Sequence, residues 1–204
     1  MYDDEPMPVA RVPDFRGQVL AVNRVERLLR RVARALDAAG VPYAVIGGNA
    51  VAAWVSTVDE GAVRATKDVD ILLRRADLPT AAAALQRAGL VEHEVLGVTM
   101  FLDRRRPNPK TGAHVIFAGE RVRAHSAHPA PDVTSAVRST AGFLIVDLPA
   151  LLGMKLEAFR DIDRVHIRDL LSVALIDEAL AANLPDDLRA RLREIQASPE
   201  RGHG

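Results

Sequence analysis

The spacing of apolar residues changes near residue 40. Over residues 17–39, apolar side chains recur every three or four positions with arginines between them, which predicts an amphipathic helix that Gly40 ends. The short apolar run that starts at Tyr43 predicts a strand. This strand turns at Gly47 and Gly48 and opens a helix of small residues.

A second strand is predicted from Thr66 to Leu73, and it carries two aspartates one residue apart. Side chains alternate along a strand, so Asp68, Asp70 and Leu72 share one face. The apolar side chains between them share the other. We therefore expect one charged face and one core face.

The rest of the chain alternates between helical and extended patterns. These elements are a helix from Asp77 to Arg87, strands at Leu90–Val95, Val98–Leu102, Ala113–Ala118 and Phe143–Val146, and helical sequence from Pro149 nearly to the end. The order predicts an α/β (α+β) fold with a mixed β-sheet core and flanking helices. We expect a flexible N-terminal arm over 1–16, the core over 17–147 and a C-terminal helical region over 148–204.

Composition narrows the class of protein. The 204 residues include no cysteine, which excludes disulfides, thiolate metal sites and a cysteine nucleophile. Lys and Arg total 27 and so do Asp and Glu, so no bulk field recruits DNA or a membrane surface. The acidic first residues lack an apolar signal core, and no run approaches the roughly twenty apolar residues of a spanning helix. We expect a cytoplasmic protein that binds neither membrane nor DNA.

The two aspartates and the two glycines suit complementary parts of one ligand. Asp68 and Asp70 lie about 6.5–7 Å apart along a strand and repel each other unless a cation lies between them, which favours Mg²⁺ or Mn²⁺. Gly47 and Gly48 let the backbone approach a phosphate, and the amides that follow favour an anion. Alternatively, the glycines form only a tight turn and the aspartates only the solvated face of an edge strand.

This order of motifs resembles the polymerase-β-like nucleotidyltransferase superfamily, whose members carry a hydrophobic strand, a Gly-Gly pair and an Asp-x-Asp strand. The resemblance covers residues 41–120. It implies transfer of a nucleoside monophosphate from a nucleoside triphosphate to an acceptor hydroxyl on RNA, protein or a small molecule. It also implies that Asp68 and Asp70 hold the metal. The nucleotide contacts implied are Gly47, Gly48, Asn49 and Lys67.

The third carboxylate of that superfamily should lie near Ala113–Phe117, where this chain has His114. His114 is a candidate catalytic residue, because it can ligate a metal or accept a proton near neutral pH. It can also be a satisfied core residue. If it does not replace the carboxylate, the chain is a catalytically weak nucleotide-binding or regulatory module that acts through a protein partner.

The C-terminal helices contain two further candidates, Lys155 and Asp169. Asp169 falls in line with apolar residues at helical spacing, so we expect a buried carboxylate that is paired or used; the stripe is Ile162, Val165, Val173 and Ile176. The pattern is similar to the AbiEii-type toxin nucleotidyltransferases, and this implies that Lys155 contacts the triphosphate, that Asp169 assists the acceptor or orients a base, and that a separate antitoxin is a partner. The alternative is an ion pair from Arg160 or Arg168 to Asp169.

Two weaker features have a structural interpretation that we favour. The run Arg104–Arg106 with Lys110 could grip an RNA backbone, but no aromatic residue interleaves with it to stack bases, so a solvated loop is expected. His125 and His128 have zinc-like spacing without a matching ligand set, which favours incidental histidines in a loop. A purely structural domain would instead separate the aspartates from the glycines in space.

Overall fold

A seven-stranded mixed sheet organises the protein in this computed structural model, which describes residues 15–198. The strands are β1 Tyr43–Ile46, β2 Val69–Leu73, β3 Leu90–Val95, β4 Val98–Asp103, β5 Ala113–Phe117, β6 Ala136–Arg138 and β7 Leu144–Val146. The helices are α1 Phe15–Ala38, α2 Gly47–Val55, α3 Leu78–Arg87, α4 Leu148–Ala158, α5 Asp161–Ser172, α6 Glu178–Ala182 and α7 Asp186–Ala197.

The order of strands across the sheet is β3-β4-β5-β2-β1-β7-β6. Strand β1 runs antiparallel to β2 and parallel to β7, whereas β2 runs parallel to β5. The predicted mixed sheet with flanking helices is confirmed. Strand β6 was not predicted, because its three residues show no periodicity of their own and take their strand conformation by pairing with β7.

The register places the aspartate strand at the centre, with Ile46 opposite Asp70 on one side and His114 opposite Asp70 on the other. Directly paired residues share a face of the sheet, so these three side chains project in the same direction. Asp103 lies on the opposite face, because β4 pairs Met100 with His114 and side chains alternate. Its ion pair with Arg31, at 2.8 Å, therefore holds α1 against the face opposite to Asp70.

The core extends over both faces of the sheet. The apolar stripe of α1 packs on one face, as its spacing predicted, and its buried members are Val25, Leu28, Leu29, Val32 and Leu36. On β2 the charged face ends after Asp70, because Leu72 is 0% exposed. The face that carries the aspartates therefore joins the core at Leu72, and the other face of the strand is buried as expected at Val69, Ile71 and Leu73.

The C-terminal helices pack closely on one another. The Arg191 side chain on α7 donates hydrogen bonds to the carbonyls of Leu156 (2.7 Å) and Glu157 (2.9 Å) near the end of α4. The Phe159 ring that follows lies under the guanidinium groups of Arg164 and Arg191. The two hydrogen bonds from Arg191 satisfy carbonyls that the end of α4 leaves without an intrahelical donor.

The predicted stripe of α5 was wrong, because Ile162 is 47% exposed, the helix ends at Ser172, and the buried positions are Asp163, Ile167 and Leu170. The N-terminal arm lies outside the described residues apart from its last two, which belong to α1. Within residues 15–198, every helix is too short or too polar to cross a membrane.

Candidate active site

Gly47 lies directly against the carboxylate of Asp70. The residue has φ +68°, a conformation that favours glycine, and it turns the chain from β1 into α2. A Cβ added at Gly47 would overlap the Asp70 carboxylate and lie 3.1 Å from its Cγ. The glycine pair and the aspartate strand therefore meet in space, which disagrees with a purely structural domain.

The second glycine and Asn49 connect the first turn of α2 to Asp68. A Cβ at Gly48 would lie 2.8 Å from Thr66 Oγ1, so this position also requires a small residue. Asn49 is 9% exposed, and its side-chain amide donates to the Asp68 carbonyl at 2.6 Å. Asn49 thus fixes the backbone that carries Asp68, whereas Lys67 is exposed on the loop before β2.

His114 bridges Asp70 and the loop that precedes β5. Its Nδ1 lies 3.4 Å from Asp70 Oδ1, and its Nε2 lies 3.1 Å from the Pro109 carbonyl. The hydrogen bond to Asp70 raises the pKa of His114, with further raising by the Pro109 carbonyl and the charge of Asp68, although burial opposes it. The register places His114 opposite Asp70 on the neighbouring strand, and its substitution for a third carboxylate stays a prediction.

A buried charge cluster joins α4 to α5. Lys155 is 5% exposed and its Nζ donates to Asp163, which is 0% exposed, at 3.0 Å. Arg160 donates to the same carboxylate at 2.6 Å through Nε. Burial alone would raise the pKa of Asp163, but the hydrogen bond from Arg160 and the charge of Lys155 outweigh it and lower the pKa. The sequence interpretation missed Asp163, whose signal was its spacing of three from Arg160 at a helix start.

Asp169 is paired, as expected of a carboxylate at that position, but with a partner other than those the sequence indicated. Its carboxylate accepts two hydrogen bonds from Arg64, both at 3.0 Å, in an ion pair that ties α5 to the loop before β2. The partner is therefore neither Arg160 nor Arg168, which donates to the Ser198 carbonyl instead. Asp169 does not line the cavity at Asp70.

His166 lies between the candidate residues on α5 and the glycine pair. Its Cε1 would be 3.6 Å from a Cβ at Gly48, and its Nδ1 is buried without a hydrogen-bond partner among the described residues. Burial, then the charge of Lys155, lowers the pKa of His166 to about 4. The ring is therefore neutral at physiological pH.

A cavity of about 440 Å³ opens beside Asp70 and the buried pair of Lys155 and Asp163. Gly47, Asp70, Lys155 and Arg160 line it, and the loop that carries His128 adds further polar side chains. Apolar side chains form another part of the lining, and they come from the sheet, α4, α7 and the turn between α6 and α7; they include Ile46, Ile116, Leu151, Leu184 and Leu188. The volume lies in the range typical of pockets for small ligands.

The loop over residues 122–131 forms another wall of this cavity, and His128 anchors it. His128 Nε2 contacts Asp187 at 2.9 Å on α7, and the Glu157 carboxylate accepts from the Ala127 amide at 2.7 Å. Of the described residues, His128, Glu157 and Asp187 are the one trio of His, Asp or Glu whose ligand atoms lie within 4.8 Å of one another. His114 lies apart from this loop at Asp70, which agrees with the expectation that His125 and His128 form no zinc site with it.

The arrangement can bind a polyanion with a divalent cation. Asp70, with Asp68 two residues before it, offers oxygen ligands beside a helix N-terminus that favours anions. The cations of Lys155 and Arg160 line the same cavity as Asp70. Their pairing with Asp163 fixes their positions there.

Neither a protein-family model nor a curated protein sequence matches the chain. Solved structures do resemble it. The solution structure of the antibiotic-resistance factor ANT(2'')-Ia is 18% identical, with a TM-score of 0.56, and the match covers 87% of this chain and 95% of that chain. A crystal structure of ANT(2'')-Ia in complex with adenylyl-2''-tobramycin is 18% identical, with a TM-score of 0.54 and coverage of 86% and 99%.

A third structure is an antigenic nucleotidyltransferase-like protein from Paracoccidioides brasiliensis. It is 14% identical, with a TM-score of 0.57 and coverage of 87% of this chain and 89% of that chain. At these identities the likeness concerns the fold. The chain therefore has the nucleotidyltransferase fold that the sequence resemblance implied, while the nearer likeness to AbiEii-type toxins stays a prediction.

Proposed function

We propose that this protein transfers a nucleoside monophosphate from a metal-bound nucleoside triphosphate to an acceptor hydroxyl. The close approach of Gly47 to Asp70 carries the proposal. It brings a backbone turn that admits phosphate next to a carboxylate that can hold the metal.

The nucleotide occupies the cavity. Its triphosphate lies at the N-terminus of α2, where Gly47, Gly48 and the amide of Asn49 face an anion, with Lys155 and Arg160 lining the same end. The base and sugar extend along the apolar wall. Lys67, exposed near the aspartates, adds a cation toward the phosphates.

Asp68 and Asp70 are the ligands for the metal, Mg²⁺ or Mn²⁺. Two carboxylates with phosphate oxygens form the donor set that hard divalent cations prefer, so the residues present fit such an ion. When bound, the ion supplies neutralisation of charge on the phosphates. The chain itself contributes the orientation of both carboxylates, through the Gly47 turn and the Asn49 hydrogen bond.

The acceptor approaches from the β5 side of Asp70. Its hydroxyl oxygen forms a bond to the α-phosphorus, the bond from that phosphorus to the bridging oxygen breaks, and pyrophosphate leaves with the electron pair. His114, as the neutral ring that keeps its proton on Nδ1 toward Asp70, receives the hydroxyl proton at Nε2, which turns from the Pro109 carbonyl to the acceptor. Asp169 acts indirectly, because its pair with Arg64 holds the loop that leads to Asp68.

A second candidate function is nucleotide binding without transfer, in a regulatory module with a protein partner. One observation favours it: both ring nitrogens of His114 face acceptors, Asp70 and the Pro109 carbonyl, which suits a protonated ring that donates twice. A toxin role with a separate antitoxin partner is compatible with either function.

Thermal unfolding with each nucleoside triphosphate, with and without Mg²⁺ or Mn²⁺, tests the nucleotide site. A ligand at 100 times its Kd stabilises the native state by about 2.7 kcal/mol, so the midpoint should rise with one nucleotide and metal together. Asp68→Ala combined with Asp70→Ala should remove the rise. Asp77→Ala combined with Asp161→Ala, two acids outside the cavity lining, should keep it.

Incubation with nucleotide labelled at the α-phosphate then separates transfer from binding. The proposal expects label on an acceptor from RNA, protein or a small-molecule extract, and loss of that label in the double alanine variant. Binding without label on any acceptor supports the regulatory module. No shift with any nucleotide refutes both.

A further inference from the structure

A second concave surface lies on the opposite face of the sheet, between α1 and the loop that follows β4. It is a groove of about 1120 Å³. Of the described residues that line it, seven are arginines, one is acidic and none is aromatic. We call it the arginine groove; its exposed arginines are Arg24, Arg27, Arg30, Arg34, Arg105 and Arg106.

The arginines of α1 form a row along the groove. Arg24, Arg27, Arg31 and Arg34 are spaced by three, four and three residues, which places them on one side of the helix. The row extends about 15 Å along the helix axis, from the 1.5 Å rise per residue. A row of this length matches a polymer with regularly repeated charges better than a single phosphate group.

Most of this charge is not neutralised inside the protein. Arg31 pairs with Asp103 at 2.8 Å, and Arg30 pairs with Glu26 at 2.9 Å, but Arg24, Arg27 and Arg34 have no acidic partner within residues 15–198. The whole chain has zero formal net charge, so the groove is a local concentration of positive charge. Guanidinium groups bind phosphate oxygens in a bidentate manner.

The chemistry of the walls favours the backbone of a duplex over a single strand. Single-stranded nucleic acid is held largely by stacking of bases on aromatic rings, and the described lining contains none. The uncharged members nearest the candidate active site, Asn108 and Thr111, carry an amide and a hydroxyl. Such groups contact the ribose 2′-hydroxyls that distinguish RNA from DNA.

The groove is connected to the candidate active site through the loop over residues 104–112. The Pro109 carbonyl, between the lining residues Asn108 and Thr111, lies 3.1 Å from His114 Nε2. His114 in turn contacts Asp70. The cavity lies over the face of the sheet that carries Asp70, whereas the groove lies over the opposite face, so the two surfaces serve different ligands.

We propose that the arginine groove binds the phosphate backbone of duplex RNA and that structured RNA is the acceptor class. The second half of this statement rests on the proposed function. The cavity does not suit a strongly cationic acceptor, because its described carboxylates are matched by cations: Asp70, Glu157 and Asp163 against Arg123, Lys155 and Arg160. A polyanionic acceptor approaching over the basic loop agrees with both surfaces.

Binding of a fluorescent RNA hairpin of about 12 base pairs, without nucleotide, tests the groove on the full chain. Two variants remove charge from opposite walls, Arg27→Gln with Arg34→Gln and Arg105→Gln with Arg106→Gln. Each should weaken binding at least about tenfold near 0.1 M salt and reduce the slope of log K against log salt by up to about two. The matched control is Arg121→Gln with Arg193→Gln, two exposed arginines outside the groove, and it should bind as the unmodified protein does.

Competition with other polyanions shows which class of polyanion the groove prefers. A DNA hairpin of the same sequence, an unpaired RNA and polyglutamate should each compete at least about tenfold more weakly than the RNA hairpin. Equal competition by DNA or by the unpaired strand overturns the assignment of duplex RNA, and equal competition by polyglutamate indicates an acidic protein partner instead. Equal weakening by the control pair overturns the groove itself.

Transfer of labelled nucleotide to the hairpin is measured separately. Groove-dependent labelling of RNA supports the whole proposal. Labelling of a protein or a small molecule, with RNA unlabelled, overturns RNA as acceptor and leaves the proposed function intact. Groove-dependent binding with no labelling of any acceptor refutes the transfer function and leaves the groove as an RNA-binding surface.

Discussion

The two faces of the sheet carry charge in opposite ways. On the face of Asp70, Lys155 and Asp163 are 5% and 0% exposed and hydrogen-bond to each other, so their charges are used within the fold. On the opposite face, Arg27 and Arg34 of the arginine groove are exposed, and α1 supplies no matching acid for them. A buried charge must be paired to be tolerated, whereas an exposed one stays available to a partner. The difference separates residues that hold the site in place from residues that recruit a ligand.

The largest effect is expected at Asp163. Its replacement by alanine leaves Lys155 buried without its partner, and breaking a buried pair in this way costs about 3–5 kcal/mol. Denaturant unfolding of Asp163→Ala should show this loss. Asp169→Ala, which breaks the more exposed pair with Arg64, should cost about 1 kcal/mol or less. Equal losses in the two variants would remove the distinction between buried and exposed pairs on α5.

Gly47→Ala should cost about 2–4 kcal/mol. An L-residue with positive φ costs about 1–2 kcal/mol, and the added Cβ would also displace the Asp70 carboxylate. The matched control is Gly40→Ala, where φ is +63° and a Cβ meets nothing within 4 Å, so only the conformational cost applies. Gly47→Ala should also lose the nucleotide-dependent rise in thermal midpoint, and Gly40→Ala should keep it. Retention in both would show that Asp70 does not need the glycine.

The neutral state of His166 predicts a loss of stability in acid. Its pKa of about 4 in the folded protein lies below its ordinary value of 6.5, so the unfolded chain binds the extra proton first. The free energy of unfolding should therefore fall as pH decreases from about 6.5 to 4, by about 1–2 kcal/mol after allowance for partial solvent access.

His166→Gln should flatten the stability profile in this window. The raised pKa of His114 acts in the opposite direction and is present in both proteins, so the difference between their profiles isolates His166. Groups that face His166 are Lys155, Asp163, Asp169 and Arg64, and none is altered by the substitution. Identical profiles would show that the imidazole is not held neutral by burial.

The smallest effect on stability is expected in the arginine groove. Arg27→Gln combined with Arg34→Gln should change the free energy of unfolding by no more than about 0.5 kcal/mol, because exposed side chains without a buried partner contribute little. Removal of like charges along α1 could even stabilise the protein slightly. Urea unfolding of this variant measures the change. A loss comparable to that of Asp163→Ala would mean that these arginines hold the fold.

Local sequence patterns were sufficient to predict the elements at the centre of the candidate active site. The strand, the glycine turn, the following helix and the aspartate strand lie close together in sequence, and each has a strong signal of its own. Because β2 pairs directly with β1, the register brings Asp70 next to Ile46 and hence to Gly47. The place of His114 beside Asp70 was expected only from the family resemblance, because β2 and β5 pair although β3 and β4 separate them in sequence.

The sequence by itself thus determined the elements around Asp70 and the class of fold, because periodicity, glycine and aspartate act over short stretches of chain. Only the tertiary structure decided which acid of α5 is buried, since the helix turns the face that meets α4 inward and this selects Asp163 over Asp169. It also decided that α1 and the basic loop form one groove, through residues such as Arg31 and Asp103 that lie 72 positions apart. No local pattern encodes such a contact, because it depends on how two distant elements pack on the same sheet.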